Sequence, residues 1–283
     1  MFIFRRAAEL QAFLQRRRTH GRSLGFVPTM GALHSGHLSL IEQSQKENEL
    51  TVASIFVNPT QFNEAEDLNT YPRTPGRDCE LLAQVGCGLV FLPTVEEVYP
   101  PDLEQDLSFD FDGLDERLEG AHRPGHFNGV AQVVTRLLEL VQPDRLYLGQ
   151  KDAQQVAILR KTVQQLGDGI EIVAVPTVRD SDGLALSSRN ARLSEQARKD
   201  APNIYRALLR TSAGLLDGGQ VDTLLASAIA DINAFTTLNV EYLELVDAKQ
   251  MKPIEEFHDA QQAILVAAVW AEDVRLIDNL PVG

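Results

Sequence analysis

Cysteine is nearly missing from this 283-residue chain: Cys79 and Cys87 are the only two, too few for a disulfide framework or a metal knuckle. No apolar run approaches the ~20 residues a membrane span requires, and none follows the first six residues, so neither a span nor a signal peptide is expected. Positive charge is scarce as well. The chain carries 26 basic against 40 acidic residues, a formal net charge of −14. That balance argues against non-specific binding to nucleic acid or to an anionic membrane. The few cysteines and the expected lack of a span or signal peptide make a cytoplasmic enzyme the plain expectation. Internal repeats and low-complexity segments are absent. So is any Gly-x-x-x-x-Gly-Lys-Ser/Thr loop, which excludes a P-loop nucleotide site.

What remains is ordinary globular composition, with 44% apolar and 23% charged residues. The length suggests one large or two modest domains. Short β-rich runs at 23–28, 51–57, 88–92, 145–148 and 171–175 alternate with helical patterns at 38–48, 75–85, 130–141 and 153–166. In the third helical pattern Val130, Val133, Val134, Leu137, Leu138 and Val141 share one face. Such alternation implies a doubly wound, Rossmann-like α/β domain with a parallel sheet, placed at 1–176, whose ligands gather at the carboxyl ends of the strands. Residues 93–123, acidic and carrying Pro93, Pro100 and Pro101, break the alternation as an excursion. Residues 177–283 read as helices at 194–216 and 221–235 followed by strands at 240–246, 263–270 and 274–277, a smaller C-terminal α+β domain.

Five segments carry chemistry. After the first run comes Met30-Gly31-Ala32-Leu33-His34-Ser35-Gly36-His37, with a helix beginning near Ser35. A helix start offers unpaired N–H groups and a positive dipole end, which favour phosphate. His34 and His37, three apart, would share a face and donate to phosphate oxygens. A metal pair or two surface residues are the alternatives; no third His or Cys stands nearby to complete a zinc set. Asn58 and Gln61, in Asn58-Pro59-Thr60-Gln61, offer amides suited to the hydroxyl and carboxylate groups of a small ligand, or simple turn chemistry. Gly149-Gln150-Lys151-Asp152 brings a point charge suited to phosphate, with Asp152 a possible helix cap and Gln155 one turn further on. Ser187-Ser188-Arg189 could clamp phosphates or form a capped turn, and His122–Gly129, another basic segment at a helix start, could bind an anionic ligand similarly.

Taken in order, residues 26–40, 54–62, 71–73, 123–130, 149–155, 176–178 and 182–190 resemble the pantoate–β-alanine ligases of the nucleotidylyltransferase superfamily. The pair His34/His37 alone is unspecific. Phe-Val-Asn-Pro-Thr-Gln-Phe, Arg-Pro-Gly-His-Phe and Gly-Gln-Lys-Asp-Ala-Gln-Gln together are specific. The resemblance implies condensation of pantoate with β-alanine, splitting ATP to AMP and diphosphate through a pantoyl adenylate. It implies that Met30 to His37 contact ATP, with His37 as proton donor and His34 assisting. Gly149, Gln150, Lys151, Asp152, Val178, Leu186, Ser187, Ser188 and Arg189 would hold the nucleotide, with Lys151 near the reacting phosphate. Gln61 would bind both pantoate and β-alanine, and Gln155 pantoate, with Asn58 supporting that pocket. The family further implies ATP as a substrate with Mg²⁺, no tightly bound prosthetic group, no metal site in the protein, and a homodimer. Asn128, Gln132, Leu148 and Leu186 depart from the family pattern, which touches pocket detail and no donor assigned to chemistry. Two rivals stand beside this reading. One is transfer of a nucleotide to a phosphorylated acceptor, and the other is a non-catalytic nucleotide sensor.

Overall fold

The computed structural model describes residues 1–18, 21–62, 65–103, 107–258 and 262–283. Residues 104–106 of the acidic excursion therefore lie outside the described residues. The chain forms two compact units: Met1–Gly149 with Ile158–Val175, and Gln150–Ala157 with Pro176–Gly283. The split at Val175/Pro176 is joined by one feature that composition does not reveal, the grouping of Gln150–Ala157 with the second unit. Within that unit Asn279 donates hydrogen bonds to the carbonyls of Gln150 and Lys151.

In the first unit the elements run β1 (Phe2–Phe4), α1 (Ala7–Arg18), β2 (Leu24–Thr29), α2 (Ser35–Glu47), β3 (Leu50–Ile55), α3 (Ala65–Thr70), α4 (Pro75–Gln84) and β4 (Leu89–Phe91). There follow α5 (Val95–Val98), α6 (Glu119–His122), α7 (His126–Val141), β5 (Arg145–Gly149), α8 (Ala153–Leu166), of which Ala153–Ala157 group with the second unit, and β6 (Glu171–Val175). The six strands form one parallel sheet in the order β1-β4-β3-β2-β5-β6. This is the doubly wound class the alternation implies. The chain steps from β2 through β3 to β4, then returns to lay β5 on the other side of β2. The topological switch point thus lies between β2 and β5, where Gly25 pairs with Arg145 and Phe26 with Leu146.

Central strands in such a sheet are covered on both faces, which is why β2 and β3 read as nearly unbroken apolar runs. Phe26, Val27, Val52 and Ala53 are fully buried. The predicted stripe of α7 is buried along its whole length, Val130, Val133, Val134, Leu137, Leu138 and Val141 included. In the second unit follow α9 (Glu195–Asp200), α10 (Pro202–Leu216), α11 (Val221–Asn233) and the antiparallel strands β7 (Leu238–Asp247), β8 (Ala263–Ala271) and β9 (Val274–Pro281), in the order β7-β8-β9. The single helix expected over 194–216 is two, because Pro202 lacks an N–H and opens a new helix at its first position. Leu208, Ile232, Leu265 and Val269 are among the side chains at the core of this unit.

Candidate active site

The turn after β2 is built by three clamps in the first unit. Thr29 Oγ1 donates to the Ser54 carbonyl on β3 at 2.7 Å and accepts the Gly31 N–H at 3.2 Å. Gly31 (φ +83°) and Ala32 (φ +49°) then take left-handed conformations that reverse the chain. Asp78, a buried carboxylate in the first turn of α4, accepts the N–H of Ala32 at 3.1 Å, the N–H of Leu33 at 2.8 Å and the Thr74 hydroxyl at 3.2 Å. A Cβ on Gly31 would lie 3.0 Å from that carboxylate, so both the backbone angle and the space call for glycine.

The reversal delivers His34 to the N-cap of α2, which begins at Ser35 as expected. His34 Nδ1 accepts the Gly36 N–H at 3.2 Å, and His37 Nδ1 accepts the His34 N–H at 3.3 Å. Histidines here make the reciprocal arrangement usually supplied by Ser/Thr and Glu. The two rings lie 4.1 Å apart at 40°. An Nδ1 that accepts carries no proton, so each neutral ring bears its proton on Nε2. The turn therefore offers imidazole N–H donors at the positive end of a helix, flanking the carboxyl end of β2 at the switch point.

The segment after β3 forms a 3₁₀ turn, Pro59–Gln61, capped by Asn58. Asn58 is only 1% exposed and acts as a hub. Its Nδ2 donates to Thr60 Oγ1 at 2.9 Å, Gln61 Oε1 at 3.2 Å and the Gly129 carbonyl at 3.3 Å. Its Oδ1 accepts from the Tyr99 hydroxyl at 3.1 Å, a phenol that burial pushes above its ordinary pKa and keeps neutral. Gln61 Nε2 reaches Met30 Sδ at 3.2 Å, which ties this turn to the one after β2. His126 Nδ1 pairs with the Gln61 carbonyl at 3.0 Å, while its Nε2 meets Arg123 at 3.1 Å. Gly129 lets α7 approach so closely that a Cβ there would come within 2.6 Å of the Thr60 carbonyl. The His122–Gly129 segment, read above as a possible anion site, thus braces Gln61. Asn58, placed in the pantoate pocket by resemblance, is a buried support for that glutamine.

In the second unit a 3₁₀ turn, Gln150–Asp152, runs directly into α8. The Lys151 side chain is 18% exposed and its Nζ lies 3.7 Å from the Asp152 carboxylate. Gln155 falls within the first turn of α8, nearer its start than the spacing suggests. Further on, Val178 and Leu186 are joined by a backbone hydrogen bond of 3.0 Å, and Arg179 bridges Ala185. This small hairpin carries Asp180 and Asp182, both held by Arg198 at 2.9 and 2.6 Å. The Arg198 guanidinium pulls the Asp182 carboxyl below its ordinary pKa. Ser187 caps the following 3₁₀ turn, Ser188–Arg192, by accepting the Arg189 N–H at 3.2 Å. The capped-turn reading of Ser187 is therefore true.

Asp78, Tyr99 and the Arg179–Asp278 pair are not among the residues the sequence singles out; Asp78 has one signal, an acidic residue opening a helix after Thr74, and the others have none. His126 lies in the Arg-Pro-Gly-His-Phe motif, but its bond to the Gln61 carbonyl is not legible there. Among the described residues no group of three or more His, Cys, Asp or Glu could hold a metal ion. None of the described helices is long and apolar enough to cross a membrane.

A parallel doubly wound sheet with a histidine-capped helix at its switch point, and no P-loop, defines a nucleotide-using α/β enzyme. The chain belongs to the pantoate–β-alanine ligase family, whose pattern it matches over residues 2–281. It is 47% identical over 281 residues to the pantothenate synthetase of Porphyromonas gingivalis strain W83, covering 99% of each chain. It is 46% identical over 283 residues to that of Bacteroides thetaiotaomicron, covering 99% of this chain and 98% of the relative. The crystal structure of pantothenate synthetase from Thermus thermophilus superposes with a TM-score of 0.92 at 44% identity, over 100% and 99% of the two chains. The ligase from Francisella tularensis, solved with β,γ-ATP and β-alanine, gives 0.81 at 33% identity over 99% and 97%. The activity of this chain is accordingly the ATP-dependent condensation of pantoate with β-alanine.

Proposed function

We propose that the condensation runs through an acyl adenylate. The pantoate carboxylate attacks the α-phosphorus of ATP and diphosphate leaves. The β-alanine amine then attacks the acyl carbon, AMP leaves, and the amine loses a proton. Activation is needed because a carboxylate oxygen is too poor a leaving group to be displaced by an amine. The observation that carries this reading is the pair His34 and His37, two donors fixed at the start of α2 by their own Nδ1 atoms. His37 supplies a proton as negative charge builds on the departing diphosphate, and His34 holds a phosphate oxygen beside it. Lys151 places its charge on the reacting phosphate, and Arg189 with Ser187 and Ser188 clamps the outer phosphates. Backbone and side chains of Met30, Gly31, Ala32, Leu33, Ser35, Gly36, Gly149, Gln150, Asp152, Val178 and Leu186 complete the nucleotide contacts. Gln61 holds pantoate and then β-alanine; Gln155 holds pantoate.

Mg²⁺ belongs to the nucleotide in this scheme. The described residues offer it no resident donor cluster, and no step above passes through it. The enzyme acts in the cytoplasm as a homodimer, the second point being tested by a mass from gel filtration with light scattering. Product analysis tests the chemistry: one AMP should form per pantothenate. ADP in its place would replace the adenylate with an acyl phosphate and overturn the proposal.

A further inference from the structure

We propose that Asn279 is the positioning residue for Lys151, and that the buried Arg179–Asp278 pair holds it there; this rests on Lys151 acting on the nucleotide. Asn279 lies on β9 with 3% of its surface exposed. Its Nδ2 donates to the Gln150 carbonyl at 2.9 Å and to the Lys151 carbonyl at 2.7 Å, some 130 residues away in sequence. Its Oδ1 is buried with no hydrogen-bond partner. An amide that leaves its acceptor unsatisfied in the interior is an expensive side chain, and its two donors are what it supplies in return. The opposite amide orientation would set oxygen against both carbonyls, so the orientation is determined.

The main chain of Asn279 is fixed in turn. Its N–H donates to Asp278 Oδ1 at 2.8 Å and its carbonyl accepts from Arg179 Nη2 at 3.1 Å. Arg179 grips Asp278 through two bonds of 2.7 and 2.8 Å and lies 3.6 Å over the Tyr205 ring. Its Nη1 also donates to the Gly183 carbonyl at 3.2 Å, inside the hairpin that leads to Ser187. One ion pair therefore fixes both the strand that carries Asn279 and the hairpin ahead of Ser187–Arg189. Lysine is a flexible four-carbon stem, and a catalytic ammonium must be held to within about 0.5 Å. Gripping the carbonyls of Lys151 and its predecessor fixes the root of that stem.

The test compares Asn279→Leu, Asn279→Ser, Lys151→Ala and the double variant Asn279→Leu/Lys151→Ala. Each is assayed for pantoate-dependent diphosphate–ATP exchange and for thermal unfolding. Asn279→Leu removes both donors and the orphaned acceptor together; Asn279→Ser keeps one donor and folds even where leucine is not accommodated. The expected result is a fall in kcat of about 100-fold for Asn279→Leu, the scale of a 1 Å misplacement, with the KM for pantoate unchanged. Asn279→Ser should lose less, and the leucine should cost little further once Lys151 is already alanine. Normal kcat in both Asn279 variants beside an impaired Lys151→Ala would overturn the positioning role alone. So would losses that multiply independently in the double variant. Normal exchange in Lys151→Ala would instead remove the reading of Lys151, and this proposal with it.

Discussion

Asp78 and Leu33, 45 residues apart, are joined by a hydrogen bond of 2.8 Å from the Leu33 N–H to a buried carboxylate oxygen. That bond, with its neighbour from Ala32, holds the reversed turn that presents His34 and His37. Asp78→Asn keeps the shape but turns one acceptor into a donor facing a backbone N–H. The expected outcome is a loss of about 1–3 kcal/mol in urea unfolding and a raised KM for ATP. Unchanged ATP kinetics in a folded variant would make Asp78 a purely structural residue.

His37→Ala should cost turnover far more than stability. Its Nδ1 satisfies one backbone N–H, which is worth ~1 kcal/mol at a helix start. As the donor to the departing diphosphate it should cost about 100- to 1000-fold in kcat. Steady-state kinetics beside a denaturation curve separates the two.

Asn58→Ala should raise the KM for pantoate without touching pantoate directly. It releases Gln61 Oε1 and leaves the half-buried Tyr99 hydroxyl without Asn58 as its acceptor. A stability loss of ~1–3 kcal/mol should accompany the change. Gln61→Ala should raise the same KM with little loss of stability, and titration calorimetry with pantoate checks both.

Alkaline pH should loosen the first unit. Burial pushes the Cys87 thiol up from 9.0 to about 11. Burial, and then the Glu47 carboxylate that its hydroxyl faces, push Tyr147 from 10.0 to about 12. Both groups hold their protons more tightly folded than unfolded. Their contribution is therefore full below pH 9.0 for Cys87 and 10.0 for Tyr147, and is lost as pH rises toward about 11 and about 12. The urea midpoint should fall from pH 9 upward, less steeply in Tyr147→Phe. A flat or rising midpoint over that window would contradict the assignment.

The parts of the molecule legible in the sequence are the local ones. The α7 stripe, the buried runs of β2 and β3, and the start of α2 at Ser35 follow from periodicity, apolar length and a glycine-bearing turn. β1 is not legible because three residues carry no period, and the α1 stripe of Ala7, Leu10 and Leu14, though at helical spacing, is only three residues wide. Pro202 is a break signal that a long helical pattern masks. The His34/His37 turn is readable because its chemistry lies within eight residues. What holds it is not. Asp78, Tyr99, His126 and Asn279 act across tens to more than a hundred residues, and only the folded chain brings each to its partner.

The central claim, activation of pantoate as an adenylate, is tested most directly by exchange of labelled diphosphate into ATP. The expected exchange requires pantoate and proceeds without β-alanine. Exchange that is absent with soundly folded enzyme, or that appears only when β-alanine is present, would contradict it.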